Sequence, residues 1–336
     1  MTEPRLRYGF CGSPPFATDV LAALIEGGRP PAIVVTAPAR RAGRGRKDVP
    51  SPVVELASAH GIDVRRPESA KDQGLKDELR ALDLDVLLVA SYGELLDQAF
   101  LDLPRRFCLN VHGSLLPRWR GASPVQAAIA AGDTVTGVSI QRVVKKLDAG
   151  DLLLSIETPI DPADTGGTLF ARLAALGGEA ARRALDLVEA GAVEFTPQDT
   201  ERVTHCRKLT KESGHIDWTR PAVEIERLVR AMDPWPGAAT TLPNGERLVV
   251  WRATVDPDGT STTVATTGAA PGTVRTRSEG FDVATGAGAL RVLELQAAGK
   301  KRLPVADFQR GARLEDGVRL GAPTDTGPNG APTPAH

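Results

Sequence analysis

The chain has 336 residues, of which 41 are lysine or arginine and 42 are aspartate or glutamate. This length allows two domains with a sizeable core. The balanced charge excludes binding to nucleic acid or membrane through overall charge, so any RNA contact must come from a local patch. Three dispersed cysteines favour neither a disulfide framework nor a zinc knuckle. The first residues contain no apolar run long enough for a signal peptide or a membrane span, so we expect a cytoplasmic protein that contacts no membrane.

The first half of the chain alternates between strand-like and helix-like patterns. Continuous apolar runs predict buried strands at residues 6–11, 32–36, 84–90 and 107–111. Apolar residues at helical spacing predict helices between them, one of which begins at Pro52. This alternation predicts an α/β fold with a doubly wound, mostly parallel, Rossmann-like sheet. Because no G-x-G-x-x-G follows the first strand, the sequence gives no support for a dinucleotide site.

A basic, glycine-rich run follows the second strand. Five cationic side chains occupy eight positions, at Arg40, Arg41, Arg44, Arg46 and Lys47. Most runs of this kind are solvated loops. The alternative is an arm that grips phosphates, because clustered Arg and Lys supply the electrostatic part of nucleic-acid binding.

The stretch from Asn110 to Asp148 holds the residues best suited to catalysis. Asn110 and His112 end a predicted strand and, two residues apart, point to one face of it. Ligands of open α/β sheets bind in the crevice beyond the carboxyl ends of the strands. There an amide can donate to a developing oxyanion, an imidazole can exchange a proton, and Asp148 can orient that imidazole or accept a proton through water. Taken singly, His112 is better explained as a core histidine and Asp148 as a turn residue.

The second half begins with strand patterns at residues 138–144 and 152–156 and a long helical pattern at 169–188. Short β-rich runs separated by Gly and Asp take over after Arg247, which favours a small closed barrel. We therefore predict a catalytic domain over residues 1–190, a linker over 191–208, a β-barrel domain over 209–318 and a disordered Pro-, Gly- and Thr-rich tail over 319–336.

The run NVHGSLLPRWRG, followed by GD, TGV and DAGD at increasing distances, resembles the signature of the folate-dependent formyltransferases. The resemblance extends over residues 5–320. It implies that Asn110, His112 and Asp148 are catalytic, that 10-formyltetrahydrofolate is the formyl donor, and that no metal takes part. The residues implied to contact that folate are Ser114, Leu115, Leu116 and Pro117.

Three further motifs resemble the branch of this family that formylates initiator methionyl-tRNA. They are RAGRG in the basic run, DPWPGA at residues 233–238 and AGKKR at residues 298–302. The resemblance implies that tRNA contacts come from the basic run and from Lys300, Lys301 and Arg302, and that the second domain is OB-like. Arg41 stands where the family has proline.

We therefore expect a cytoplasmic monomer that formylates the α-amine of methionine on initiator tRNA, for translation initiation. The main alternative is an amino-sugar formyltransferase with the same donor. Gly113 and the run VVKKLDAG resemble that group more closely. A formyltetrahydrofolate hydrolase is a third possibility. A non-catalytic folate- or RNA-binding relative is a fourth, although the joint presence of the amide, imidazole and carboxylate argues against it.

Overall fold

A computed structural model describes residues 6–38, 51–255, 269–312 and 314–321. The chain divides into two compact units. The first comprises Met1–Ala128, Asp133–Pro162 and Thr168–Lys208. The second comprises Ile129–Gly132, Ala163–Gly167 and Leu209–His336. The basic run predicted to bind tRNA, Arg40 to Lys47, lies outside the described residues.

A seven-stranded sheet forms the centre of the first unit. Its strands are β1 (Tyr8–Gly12), β2 (Ile33–Val35), β3 (Val64–Arg65), β4 (Val86–Ala90), β5 (Phe107–His112), β7 (Val135–Arg142) and β8 (Leu152–Pro159), and a short β6 (Arg120–Gly121) lies outside this sheet. The spatial order is β3-β2-β1-β4-β5-β7-β8. Strands β1 to β5 pair in parallel, and β7 pairs antiparallel with both β5 and β8. Within this sheet β7 alone therefore runs against the other strands, which confirms the predicted mostly parallel sheet.

Helices cover both faces of this sheet. They are α1 (Phe16–Glu26), α2 (Pro52–Ala59), α3 (Gln73–Ala81), α4 (Gln98–Leu101), α5 (Pro124–Ala131) and α6 (Gly166–Glu189). On one face, Leu79 of α3 and Phe100 of α4 belong to the same apolar cluster as Cys108 of β5. On the other face, Gly177 of α6 lies against Val111 of β5 and the apolar side of α1. Since neighbouring strand residues alternate, β5 contributes to both layers.

The apolar face of α1 shows why these helices pack on the sheet. Phe16, Val20, Leu21 and Leu24 recur at helical spacing and are at most 6% exposed. Full burial of each such side chain stabilises the folded state by about 1.5–3 kcal/mol. Among the described residues, no helix has both the length and the apolar character needed to cross a membrane.

The segment over residues 191–208, which the sequence predicts to be a linker, belongs to the first unit. The backbone of Thr196 exchanges two hydrogen bonds of 2.8 Å with Leu152. The Arg142 guanidinium lies 4.2 Å from the centre of the Phe195 ring. A short strand, β9 (His205–Cys206), pairs in parallel with β6. The polar composition of the segment hides these contacts, because backbone pairing and a single aromatic side chain hold it.

The second unit is built on an antiparallel sheet. Its elements are α7 (Ala222–Ala231), β10 (Ala238–Thr241), β11 (Arg247–Val255), β12 (Val274–Arg277), β13 (Gly280–Ala284), β14 (Ala289–Ala297), β15 (Leu303–Pro304) and α8 (Val305–Ala312). The order is β10-β11-β14-β13-β12, and β15 also pairs with β14. This sheet confirms the predicted β-rich second fold, while its closure into a barrel stays a prediction.

The start of the predicted tail is ordered. Leu320 is 2% exposed and its N–H donates to the carbonyl of Gly272 at 2.8 Å. Arg319 forms an antiparallel bridge with Thr273. Residues 319–321 therefore belong to the second unit, because a buried leucine anchors them. The rest of the predicted tail, residues 322–336, lies outside the described residues.

Candidate active site

The end of β5 carries two of the three predicted catalytic side chains. Asn110 and His112 are two residues apart on this strand and point to the same face of the sheet. Gln141 of β7 pairs directly with Asn110, so its side chain lies on that face as well. Asn110 is half-buried, and its side-chain amide makes no hydrogen bond within the described parts of the chain. Its two N–H donors are therefore available to a ligand.

His112 meets the third residue, Asp148, although the two are far apart in sequence. His112 is 6% exposed, and its Nδ1 lies 3.7 Å from Asp148 Oδ1. On its other side, Nε2 lies 3.0 Å from the carbonyl oxygen of Trp119. A carbonyl oxygen can only accept, so Nε2 carries a proton and Nδ1 faces the carboxylate. The carboxylate therefore lies beside the ring nitrogen that can accept a proton.

The Asp148 carboxylate is held by two donors. The N–H of Gly121 donates to Oδ2 at 2.9 Å, and Gln141 Nε2 donates to Oδ1 at 2.9 Å. Gly121 has φ of +121°, and a Cβ there would lie 2.1 Å from the carbonyl oxygen of Cys206. Only glycine fits this position, because any side chain would clash with the neighbouring backbone. The local sequence therefore brings a backbone donor to the carboxylate.

The run Ser114 to Pro117 follows His112 directly. The Ser114 hydroxyl is fully buried and donates to the carbonyl of Arg118 at 2.6 Å. The Leu116 N–H donates to the Ser139 hydroxyl at 3.0 Å, and that hydroxyl donates to the Ser114 carbonyl at 2.8 Å. Ser114 and Leu116 are buried, whereas Leu115 and Pro117 are half-buried. The two half-buried members are thus the ones that expose surface to a ligand.

Behind the carboxylate lies a polar network that sequence analysis missed. Arg120, Gln141 and Gln198 are 4%, 2% and 9% exposed, and each hydrogen-bonds to another member. Gln198 comes from the segment that had been predicted to be a linker. The side chain of an isolated glutamine points to no chemistry. Gln141 gave no sequence signal either, because its pairing with Asn110 depends on the register of β7 against β5.

The predicted tRNA-binding residues of the second unit lie just after β14. Lys300 and Lys301 are exposed. The Arg302 Nε donates to Glu294 at 2.7 Å, and its guanidinium lies 5.1 Å from the centre of the Trp251 ring. The two lysines are therefore available to a partner, while Arg302 already has neighbours within its own unit.

Two family models match the chain, "Formyl transferase" over residues 9–185 and "Formyl transferase, C-terminal domain" over residues 208–313. The chain belongs to the formyl transferase family, which confirms the resemblance seen in its motifs. The methionyl-tRNA formyltransferase of Stutzerimonas stutzeri is 45% identical over 314 residues, which are 93% of this chain and 96% of that protein. The methionyl-tRNA formyltransferase of Pseudomonas fluorescens Pf0-1 is 44% identical over 328 residues, 97% of this chain and 99% of that one.

Solved structures share the fold at low identity. HypX from Aquifex aeolicus, in complex with tetrahydrofolic acid, aligns with a TM-score of 0.57 at 17% identity and covers 91% of this chain, which spans 47% of that protein. An N-formyltransferase from Helicobacter canadensis, in complex with folinic acid and dTDP-3-aminofucose, aligns with a TM-score of 0.61 at 13% identity. That alignment covers 88% of this chain and 100% of the other. At these identities the likeness concerns the fold alone.

Proposed function

We propose that this chain transfers the formyl group of 10-formyltetrahydrofolate to the α-amine of methionine on initiator tRNA, and that it works as a cytoplasmic monomer. The observation that carries the proposal is the His112–Asp148 pair, 3.7 Å apart, with Asn110 beside it on the same face of β5. Near full-length similarity to methionyl-tRNA formyltransferases supports the choice of acceptor.

The chemistry proceeds by attack of the neutral amine on the formyl carbon. A bond forms between the amine nitrogen and that carbon, the bond from the carbon to N10 of the folate breaks, and one proton passes in total from the amine to N10. Negative charge develops on the formyl oxygen, where it is stabilised by the Asn110 amide, which makes no hydrogen bond within the described residues, and by the positive charge that His112 gains when its Nδ1 takes up the amine proton. Loss of one such donor raises the barrier by about 3 kcal/mol.

Asp148 provides the base for the same step. Its carboxylate, opposite Nδ1 of His112, accepts the ammonium proton through water or stabilises the imidazolium that holds it. In this proposal Leu115 and Pro117 supply the apolar wall for the flat ring system of the donor. Lys300 and Lys301 supply positive charge for the tRNA backbone, together with the basic run over residues 40–47.

An acceptor screen tests the proposal. The purified chain is incubated with 10-formyltetrahydrofolate that carries a radiolabelled formyl group, and with one acceptor at a time: charged initiator methionyl-tRNA, the same tRNA without methionine, or sugar nucleotides with a free amine. Label should pass only to the methionyl-tRNA. Transfer to the sugar nucleotides would support the amino-sugar alternative, and formate release without any acceptor would support a hydrolase.

A further inference from the structure

A buried chain of hydrogen bonds joins a guanidinium to the proposed catalytic carboxylate. Nε and Nη2 of Arg120 donate to Gln198 Oε1 at 3.0 and 2.7 Å. Gln198 Nε2 donates to Gln141 Oε1 at 3.2 Å, and Gln141 Nε2 donates to Asp148 Oδ1 at 2.9 Å. Arg120 and the two bridging glutamines are at most 9% exposed, so water competes little for these bonds.

The guanidinium determines which groups donate and which accept in this series of hydrogen bonds. A guanidinium can only donate, so the Gln198 atom that faces Arg120 must be the oxygen. The amide nitrogen of Gln198 must then face Gln141, which presents its oxygen to Gln198 and its nitrogen to Asp148. Every donor therefore points towards the carboxylate. The positive charge at one end polarises the two amides towards the negative charge at the other.

Gln198 also holds the backbone of the turn that contains Asp148. Its Nε2 lies 2.6 Å from the carbonyl oxygen of Gly150 and 3.0 Å from that of Asp148. Asp148 has φ of +50°, a left-handed conformation that a non-glycine residue keeps only when its surroundings enforce it. The amide of Gln198 thus reaches both the backbone of the strained residue and, through Gln141, its carboxylate.

We propose that Gln198 is a positioning residue for formyl transfer. It keeps the Asp148 turn in place and orients Gln141, so that the carboxylate stays opposite Nδ1 of His112. Gln198 acts through these neighbours and touches no reacting atom. The inference rests on the proposed function, because it gives the Asp148 carboxylate a catalytic role.

Two substitutions distinguish a positioning role of Gln198 from a contribution to folding stability alone. Gln198→Glu keeps an acceptor for Arg120 but replaces the amide donor, while Gln198→Met removes both. Displacement of a catalytic group by about 1 Å can cost on the order of 100-fold, so we expect kcat to fall by about 10-fold or more in both variants. KM for the folate donor and for methionyl-tRNA should change by less than about twofold, because Gln198 is 9% exposed and offers a substrate little surface. Tm should fall further in Gln198→Met, which leaves the buried guanidinium without its acceptor.

Gln309→Met is the matched control. Gln309 Nε2 donates to the carbonyl of Leu314 at 2.6 Å, so this variant loses a similar bond in the second unit. Its kcat should stay at the parent value, whatever its change in Tm. A double variant, Gln198→Met with Gln141→Leu, should be no slower than the slower single variant, because both break the same chain of bonds.

The inference is overturned if Gln198→Glu keeps a kcat within about twofold of the parent, or if kcat in the variants falls only in proportion to the unfolded fraction. Additive losses in the double variant would also overturn it. The parent chain is assayed alongside with the same donor and methionyl-tRNA. Absence of formylation by the parent would refute the proposed function, whereas an active parent with fully active Gln198 variants would refute the positioning role alone.

Discussion

Two charged regions of this protein differ in how their side chains are held. Around Asp148 the polar side chains are buried and bonded to one another, and the carboxylate is fixed by Gly121 and Gln141. In the AGKKR turn of the second unit, Lys300 and Lys301 are exposed. Arg302 forms ion pairs, but its side chain remains 41% exposed.

This difference reflects the work that each region is proposed to do. Exposed ion pairs contribute about 0–1 kcal/mol, so Arg302 can exchange Glu294 for a phosphate at little cost. A buried acceptor or donor that loses its partner costs about 1–3 kcal/mol, so the groups around Asp148 keep one arrangement. Proton transfer needs groups at fixed distances, whereas contact with an RNA backbone needs charge that is free to move.

The largest effect should come from Asp148→Asn. This change removes the negative charge opposite Nδ1 of His112 while it keeps the shape and one of the two hydrogen bonds of the side chain. We expect kcat for methionyl-tRNA formylation to fall on the order of 1000-fold, and the chain to remain folded by circular dichroism. Turnover near that of the parent would remove Asp148 from the chemistry.

Gly121→Ala should disrupt the buried polar groups around Asp148 by displacing the backbone that contacts them. The added Cβ would lie 2.1 Å from the Cys206 carbonyl oxygen and would displace the N–H that binds Asp148. We expect a loss of more than about 2 kcal/mol in unfolding free energy, measured by urea denaturation, together with a lower kcat. Gly191→Ala is the control, because φ there is +66° but nothing lies within 4 Å of the added atom. Equal losses in both variants would contradict the steric argument.

Joint replacement of Lys300 and Lys301 by alanine tests the exposed region. KM for methionyl-tRNA should rise several-fold with kcat nearly unchanged. The slope of log KM against log salt concentration should fall by about 1 for each lysine–phosphate pair that the substitutions remove. Neutralisation of the basic run over residues 40–47 should likewise raise KM for methionyl-tRNA and weaken its dependence on salt. Lys71→Ala, at another exposed lysine, should leave KM unchanged. An unaltered salt slope in the double variant would exclude this turn from tRNA binding.

The smallest effect is expected at the partly exposed ion pair between Lys76 and Asp97. Lys76 Nζ donates to Asp97 Oδ2 at 2.8 Å, and this bond, with the Phe100 N–H, holds the pKa of Asp97 below its usual value. A depressed folded-state pKa adds stability above the unfolded pKa and loses it as the pH falls through the folded value. Asp97→Asn should therefore lower the unfolding free energy at neutral pH and flatten its decline below about pH 4. Urea denaturation at several pH values measures this, and an unchanged decline would contradict it.

The fold class could be predicted because burial imposes its pattern on strands and long helices. The apolar run at residues 84–90 contains β4, and the helix predicted to begin at Pro52 forms where expected. Helix α3, Gln73–Ala81, was missed because it has only two buried leucines and begins at an Asp72 cap. Polar side chains that cap a short helix look like loop residues until the fold buries one face of that helix.

By itself the sequence determined the class of sheet, the β-rich second unit and the motif residues from which membership of the formyl transferase family could be recognised. These depend on periodicity and on residue types whose chemistry is distinctive wherever they occur. Only the tertiary structure decided that His112 presents Nδ1 to Asp148, and that Gln198 and Arg120 stand behind that carboxylate. The role of a polar side chain depends on which donors and acceptors face it after burial, and those neighbours come from distant parts of the chain.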